Sequence, residues 1–253
     1  MNLTSPDPSA DPASEGNANS RKVAIVTGGS RGLGFEVARG LIARTFTTII
    51  IGRDPDRAAS AAKTLGADYR CVDVADSIEF RQVLRELDAT YGVPEVLVLA
   101  HGVMSEKMSK TLRTTDAEWR RVMSINTDAV FTAINEVVPE MASARSGRVV
   151  VFSACLGRMT GPGNAGGLAP YRVSKAAVNA IVRNLAHETG MGARGLLVDA
   201  ICPAHCRTDM GGVDAPRSAE KGAETAIWLA TRPFDPATDL TGLLWEDHQV
   251  VPW

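Results

Sequence analysis

From Lys22 onward the chain alternates short β-branched apolar runs with amphipathic stretches, and this alternation restricts the fold more than any single motif. "VAIVTGG" precedes a helical pattern through Gly40, "TTIIIG" one over Asp56 to Thr64, and "YRCVDV" one over Ser77 to Tyr91. "VLVLAHG" leads to a long pattern from Asp116 to Met141, "RVVVFS" to one from Tyr171 to Glu188, and "LLVDAICP" follows. Runs that are apolar at successive positions belong to strands covered on both faces, as in a parallel sheet. The pattern predicts an α/β fold: a single Rossmann-type doubly wound parallel sheet with helices on both faces. Right-handed crossovers then place the ligand crevice at the carboxyl ends of the strands.

At 253 residues and 45% hydrophobic, the chain can bury one large core, and one domain is expected over 21–253. Residues 1–20, rich in Pro, Ser, Asp and Asn, lack the apolar side chains that would offset ordering entropy, so a disordered tail is expected there. A net charge of -2 with scattered arginines offers no field for nucleic acid or a membrane surface, and neither partner is expected. Cys71, Cys155, Cys202 and Cys206 show no paired spacing, and no charged-then-apolar leader opens the chain, which fits a reducing cytoplasm. Nothing near Cys202 and Cys206 completes a zinc set, so no metal is expected.

The first run enters "TGGSRGLG", where Gly28, Gly32 and Gly34 stand at a tight turn opening a helix, with Ser30, Arg31 and Leu33 between them. Small residues let a backbone approach a pyrophosphate, and the free N–H groups and helix dipole favour the anion. The second run ends "IIIGRD": Gly52 occupies the place where an acid would hold a ribose 2'-hydroxyl, and Arg53 follows. An arginine fork suits a 2'-phosphate, and Arg31 offers a second, so NADP(H) is the expected coenzyme. Asp73, beside Val74 in "CVDV", either accepts from an adenine amino group or caps the next helix.

Together "TGGSRGLG", "CVDV", "YRVSK" and "CPAHCRTDMGG" resemble the short-chain dehydrogenase/reductase family over Lys22 to Trp253. "GAETAIWLA" and the ending "TGLLWEDHQVVPW" are similar to its carbonyl-reductase-like branch. The resemblance implies reduction of a small ketone or aldehyde, or oxidation of the alcohol, with Tyr171 as the acid or base. Tyr171 and Lys175 stand four apart and share one helix face, and an ammonium near a phenol lowers its pKa from about 10. By resemblance, Asn126 holds a water for a proton relay, Gly102 borders the coenzyme, and Pro203 and Thr208 contact the nicotinamide carboxamide. Many relatives are dimers or tetramers, which implies a homodimer or homotetramer.

The chain also departs from the family. The fourth strand ends Leu99, Ala100, His101, Gly102 where relatives read Asn-Asn-Ala-Gly, Ala204 follows Pro203 where glycine is usual, and Asp199 replaces an asparagine. In "FSACLG" the serine that polarises the substrate carbonyl falls on Ala154, with Ser153 one residue early. Ser153 is the candidate replacement, although adjacent strand residues face opposite sides unless a bulge intervenes. Thr160, His101 and His205 are further candidates. The vacant hydroxyl raises an alternative: a member that binds NADP(H) and uses Tyr171 for a non-redox cyclisation, dehydration or epimerisation.

Overall fold

A computed structural model describes residues 22–106, 110–161, 166–233, 235 and 239–253. The expected tail over 1–20 lies outside these residues, as do residues 162–165 of the stretch "TGPGNAGGLAP".

The apolar runs become strands of one eight-stranded sheet: β1 (Val23–Thr27), β2 (Thr47–Gly52), β3 (Asp68–Cys71), β4 (Val96–Leu99), β5 (Gly147–Phe152), β6 (Leu196–Ile201), β7 (Leu244–Glu246) and β8 (Gln249–Val251). Their order is β3-β2-β1-β4-β5-β6-β7-β8, so the chain reverses direction across the sheet between β1 and β4. Successive strand residues feed two separate cores. Val149 and Val151 face one cluster with Leu97 and Leu99, whereas Val150 and Phe152 face the other with Val96 and Val98. Complete burial of such a side chain stabilises by about 1.5–3 kcal/mol, which is why the runs are continuous rather than alternating.

The helices cover both faces. α1 (Gly32–Ile42), α2 (Pro55–Leu65) and α7 (Ala219–Thr231) bury Val37, Ala61 and Ala226 in one cluster; α3 (Ser77–Tyr91), α5 (Ala129–Ser143) and α6 (Ala169–Glu188) bury Leu84, Val137 and Val182 in the other. Asp54 caps α2 by accepting from the Arg57 N–H at 3.0 Å, and Pro55 suits its first turn.

Three features correct the expectations. The last strand pair, β7 and β8, is antiparallel. The helix expected from Asp116 to Met141 is interrupted: α4 (Asp116–Met123) passes through one π-helical turn, Ser124–Asp128, into α5. α7 adds a further helix, formed by the segment that carries "GAETAIWLA". None of the helices among the described residues is long and apolar enough to cross a membrane.

Candidate active site

A crevice opens at the carboxyl ends of β1 and β4, where the strand order reverses. It holds about 510 Å³ and is lined by Gly28, Ser30, Arg31, Gly32, Leu33 and Gly34, by Arg53, Asp73 and Val74, and by Gly102 and Thr208. Gly28 and Gly32 have φ of 68° and 54°, a region that disfavours side chains. A Cβ at Gly28 would lie 2.9 Å from the His101 nitrogen, and one at Gly34 would collide with the Gly28 carbonyl. A turn this tight leaves bare backbone at the start of α1, a surface that an anion can approach closely.

The arginines differ. Arg53 is exposed on the crevice, whereas the Arg31 guanidinium pairs with Asp209 from the loop after β6, and Arg57 approaches the same carboxylate at 3.7 Å. Asp73 does not cap α3, because Asp76 does so by accepting from Ile78 and Glu79. Asp73 instead accepts from the Ala75 N–H at 3.0 Å while lining the crevice.

Deeper in, α6 carries Tyr171 and Lys175, 6% and 4% exposed. The first turn of α6 lacks a local cap: Leu168, at φ 52°, supplies none, and the Tyr171 N–H instead donates to Ser105 Oγ at 2.8 Å. Ser105 was not foreseen; the one sequence signal was an apolar residue at the helix N-cap, which obliges a distant acceptor. The Lys175 ammonium donates to the Phe152 carbonyl at 2.7 Å and lies 6.0 Å from the Tyr171 ring centre. Burial lowers its pKa to about 8.

Burial also pushes the Tyr171 phenol up, and the Cys155 and Cys202 thiols add to this. Lys175 is not among the groups that shift the phenol; its ammonium is held by the Phe152 carbonyl at the end of β5. A neutral phenol is the form from which a proton can be given to a carbonyl oxygen.

Asn126 sits fully buried in the π-helical turn. Its amide oxygen accepts from the Val103 N–H at 2.8 Å, and its Nδ2 donates to the Val103 carbonyl at 2.9 Å and to Ser174 Oγ at 3.0 Å. Ser174 Oγ in turn donates to the Tyr171 carbonyl at 2.8 Å. Asn126 thus ties the loop after β4 to α6. A Cβ at Gly102 would approach its Oδ1 to 3.4 Å and Lys175 Nζ to 3.5 Å, so Gly102, Asn126 and Lys175 form one compact group.

The hydroxyl candidates are placed elsewhere. Ser153 Oγ, 3% exposed, donates to Asn179 Oδ1 at 2.5 Å and packs into α6, as strand alternation without a bulge dictates. Ala154 continues the extended chain beyond it. His101 Nδ1 lies 2.6 Å from Thr27 Oγ1, its ring edge-on to Phe80. Burial, and then the Lys175 charge, lower its pKa to about 3, so the ring is neutral. His205 Nε2 pairs with the Gly211 carbonyl at 2.8 Å, and Thr160 Oγ1 donates to the Trp253 carbonyl at 3.4 Å.

Pro203 and Thr208 fall on the loop leaving β6. Thr208 lines the crevice and its Oγ1 accepts from the Gly211 N–H at 3.1 Å, while the Pro203 carbonyl accepts from Cys206 Sγ at 3.1 Å. Ala204 between them takes φ 59°, a conformation that disfavours a side chain. Asp199 is remote from the crevice loop: it pairs with Arg232 at 3.0 Å and accepts from Trp245 Nε1 at 3.0 Å.

Comparison with known proteins gives this arrangement a family. Residues 22–218 match the short chain dehydrogenase family. The chain is 31% identical to the 3-oxoacyl-(acyl-carrier-protein) reductase FabG of Salmonella typhimurium over 191 residues, 75% of each chain. It is 29% identical to the Staphylococcus aureus protein of that name over 195 residues, 75% of this chain and 76% of that one. A solved short chain dehydrogenase from Salmonella enterica superposes with a TM-score of 0.78 at 22% identity, covering 89% of this chain and 95% of the other, a likeness of fold. The chain belongs to the short chain dehydrogenase family and is an enzyme of the short-chain dehydrogenase/reductase type.

Proposed function

We propose that the protein is an NADPH-dependent carbonyl reductase, running in reverse as an alcohol dehydrogenase, with Tyr171 as the proton donor. The observation that carries this reading is a buried Tyr171 phenol beside Lys175, behind a crevice lined by the tight glycine turn from Gly28 to Gly34. The bare backbone from Gly28 to Gly34 holds the pyrophosphate. Arg53 takes the 2'-phosphate, joined by Arg31 once it leaves Asp209, and Asp73 accepts from the adenine amino group. Pro203 and Thr208 border the carboxamide. When bound, the nicotinamide supplies hydride.

The protein's own share is protonic. Tyr171 Oη gives its proton to the carbonyl oxygen as negative charge develops there. Lys175, ammonium below its pKa of about 8, favours the resulting phenolate. Asn126 holds the loop after β4 against α6, which fixes the distance between crevice and phenol. The Ala154 side chain brings no hydrogen-bond donor to the developing oxyanion, and loss of one such donor costs about 2.7–4 kcal/mol, so turnover is slow rather than absent.

The test is NADPH consumption with ketones, quinones and 3-oxoacyl thioesters, the last chosen because two relatives are named for reducing them. Turnover that Tyr171→Phe abolishes supports the reading. Conversion of a substrate with NADPH unconsumed would replace it with the non-redox alternative.

A further inference from the structure

The Asp209 carboxylate stands among the arginines of the crevice. Its turn, on the loop after β6, is tied by three hydrogen bonds. The Gly211 N–H donates to Thr208 Oγ1 at 3.1 Å, the Gly212 N–H to the Thr208 carbonyl at 2.8 Å, and His205 Nε2 pairs with the Gly211 carbonyl at 2.8 Å. A Cβ at Gly32 would lie 3.1 Å from Thr208 Cγ2, so the turn is built directly against the start of α1. A Cβ at Gly211 would collide with the Cys206 carbonyl oxygen, which shows how closely the loop is folded on itself.

From this turn Asp209 lines the crevice and pairs with Arg31, and Arg57 Nη1 lies 3.7 Å from the same Oδ2. Arg57 comes from the first turn of α2, where its Nε is also 3.7 Å from Asp54 Oδ2. Arg53, just beyond β2, lines the same crevice. The end of β2 abuts the glycine turn, because a Cβ at Gly52 would come to 3.1 Å from Ser30 Oγ. Arg31 and Arg57 thus meet at a carboxylate in the part of the crevice that Arg31 and Arg53 line.

We propose that Asp209 is a resident counter-anion of the crevice: its carboxylate holds arginines that the coenzyme 2'-phosphate needs, must be displaced by it, and so determines how strongly NADPH is preferred over NADH. The inference rests on the coenzyme reading above. A carboxylate and a phosphate engage a guanidinium fork in the same way, oxygens facing N–H groups, so they compete for it directly. An incoming 2'-phosphate breaks the Asp209 pairs and meets a charge of its own sign. NADH brings a hydroxyl to that place and leaves the pairs intact. Solvent-exposed ion pairs shift an equilibrium by no more than about fivefold each, so Asp209 imposes a several-fold penalty and not a block.

The experiment is calorimetric titration of the full-length protein with NADPH and with NADH. Asp209→Asn keeps the shape of the side chain and removes its charge. NADPH affinity should rise at least threefold in it, with NADH affinity within twofold of wild type. Adenosine 2',5'-bisphosphate and adenosine 5'-monophosphate, which differ only in the 2'-phosphate, should repeat the shift without a nicotinamide. In an Arg31→Met background the gain from Asp209→Asn should shrink, because the arginine it would release is gone.

An Asp209→Asn variant with unchanged NADPH affinity overturns the proposal. A fall in NADPH affinity does so too, since it makes Asp209 the support that aims the arginines, and a fall in NADH affinity alone assigns the carboxylate to the ribose hydroxyl instead. The coenzyme reading fails on a different result: NADPH affinity unchanged in both Arg53→Ala and Arg31→Met takes the 2'-phosphate away from these arginines, and the proposal falls with it.

Discussion

Ser153 gives its hydroxyl proton to Asn179 at 2.5 Å, so the strand that ends beside Tyr171 spends its one hydroxyl on the helix behind it. Ser153→Ala should therefore lower stability by about 1 kcal/mol in urea unfolding, the usual worth of a buried hydrogen bond, and alter kcat less than threefold. Ala154→Ser should raise carbonyl reduction tenfold or more by restoring a donor at the oxyanion. Loss of activity in Ser153→Ala with no gain in Ala154→Ser would reverse the assignment.

Ala204 holds φ of 59°, a conformation costing a residue with a Cβ about 1–2 kcal/mol, offset in part by the chain entropy glycine adds to the unfolded state. Ala204→Gly should stabilise by about 0.5–1 kcal/mol, visible as a higher urea midpoint with an unchanged slope.

Lys175 connects rate and stability to pH with opposite signs. Burial brings its folded pKa from 10.5 to about 8, so the ammonium is lost above pH 8 and carbonyl reduction should decline there. Between pH 8 and 10.5 the unfolded chain binds the proton that the folded one has released, so this group's contribution to stability rises with pH. The pH profile of kcat with saturating coenzyme checks the first and thermal unfolding the second; Lys175→Met should remove the second.

His101 makes the acid limb. Its folded pKa of about 3 lies below the ordinary 6.5, so its contribution is complete above pH 6.5 and is lost as pH falls toward 3. His101→Asn should flatten the fall in melting temperature over that interval. An unchanged slope would mean that the ring is protonated inside the fold.

Arg53 faces the crevice without the carboxylate partner that holds Arg31. Arg53→Ala should weaken NADPH binding tenfold or more in titration calorimetry and leave NADH binding nearly unchanged, because a charge-assisted contact to the 2'-phosphate is lost only with NADPH. Equal weakening of both would remove Arg53 from that role.

The sheet and the crevice were legible because their signals are local: continuous apolar runs, glycines whose missing Cβ is required, and a Tyr171-Lys175 spacing of one helical turn. The C-terminal hairpin was not. Its turn residues Asp247 and His248 take φ of 49° and 62° without the Asn-Gly or Asp-Gly that announces such a turn, and each strand has only three residues. The π-helical turn at Ser124–Asp128 was hidden for a related reason, since it shifts hydrogen-bond partners while leaving apolar periodicity almost intact. Ser153 and Ser105 show the limit at the site itself: both are serines near the acid, and only the fold separates one that braces a strand end from one that anchors Tyr171.

The two ion pairs described above differ in their access to water. Arg31 and Asp209 have side chains 56% and 66% exposed, whereas Arg232 and Asp199 are at 6% and 2%, the guanidinium lying 5.1 and 5.3 Å from the Trp228 and Trp245 ring centres. Dissolved electrolyte reaches the first and not the second: at molar ionic strength the screening length falls to about 3 Å. Brine should therefore loosen the exposed pair on the crevice rim while the buried pair that fastens β6 keeps its charge, so the rim answers to salinity and the scaffold does not.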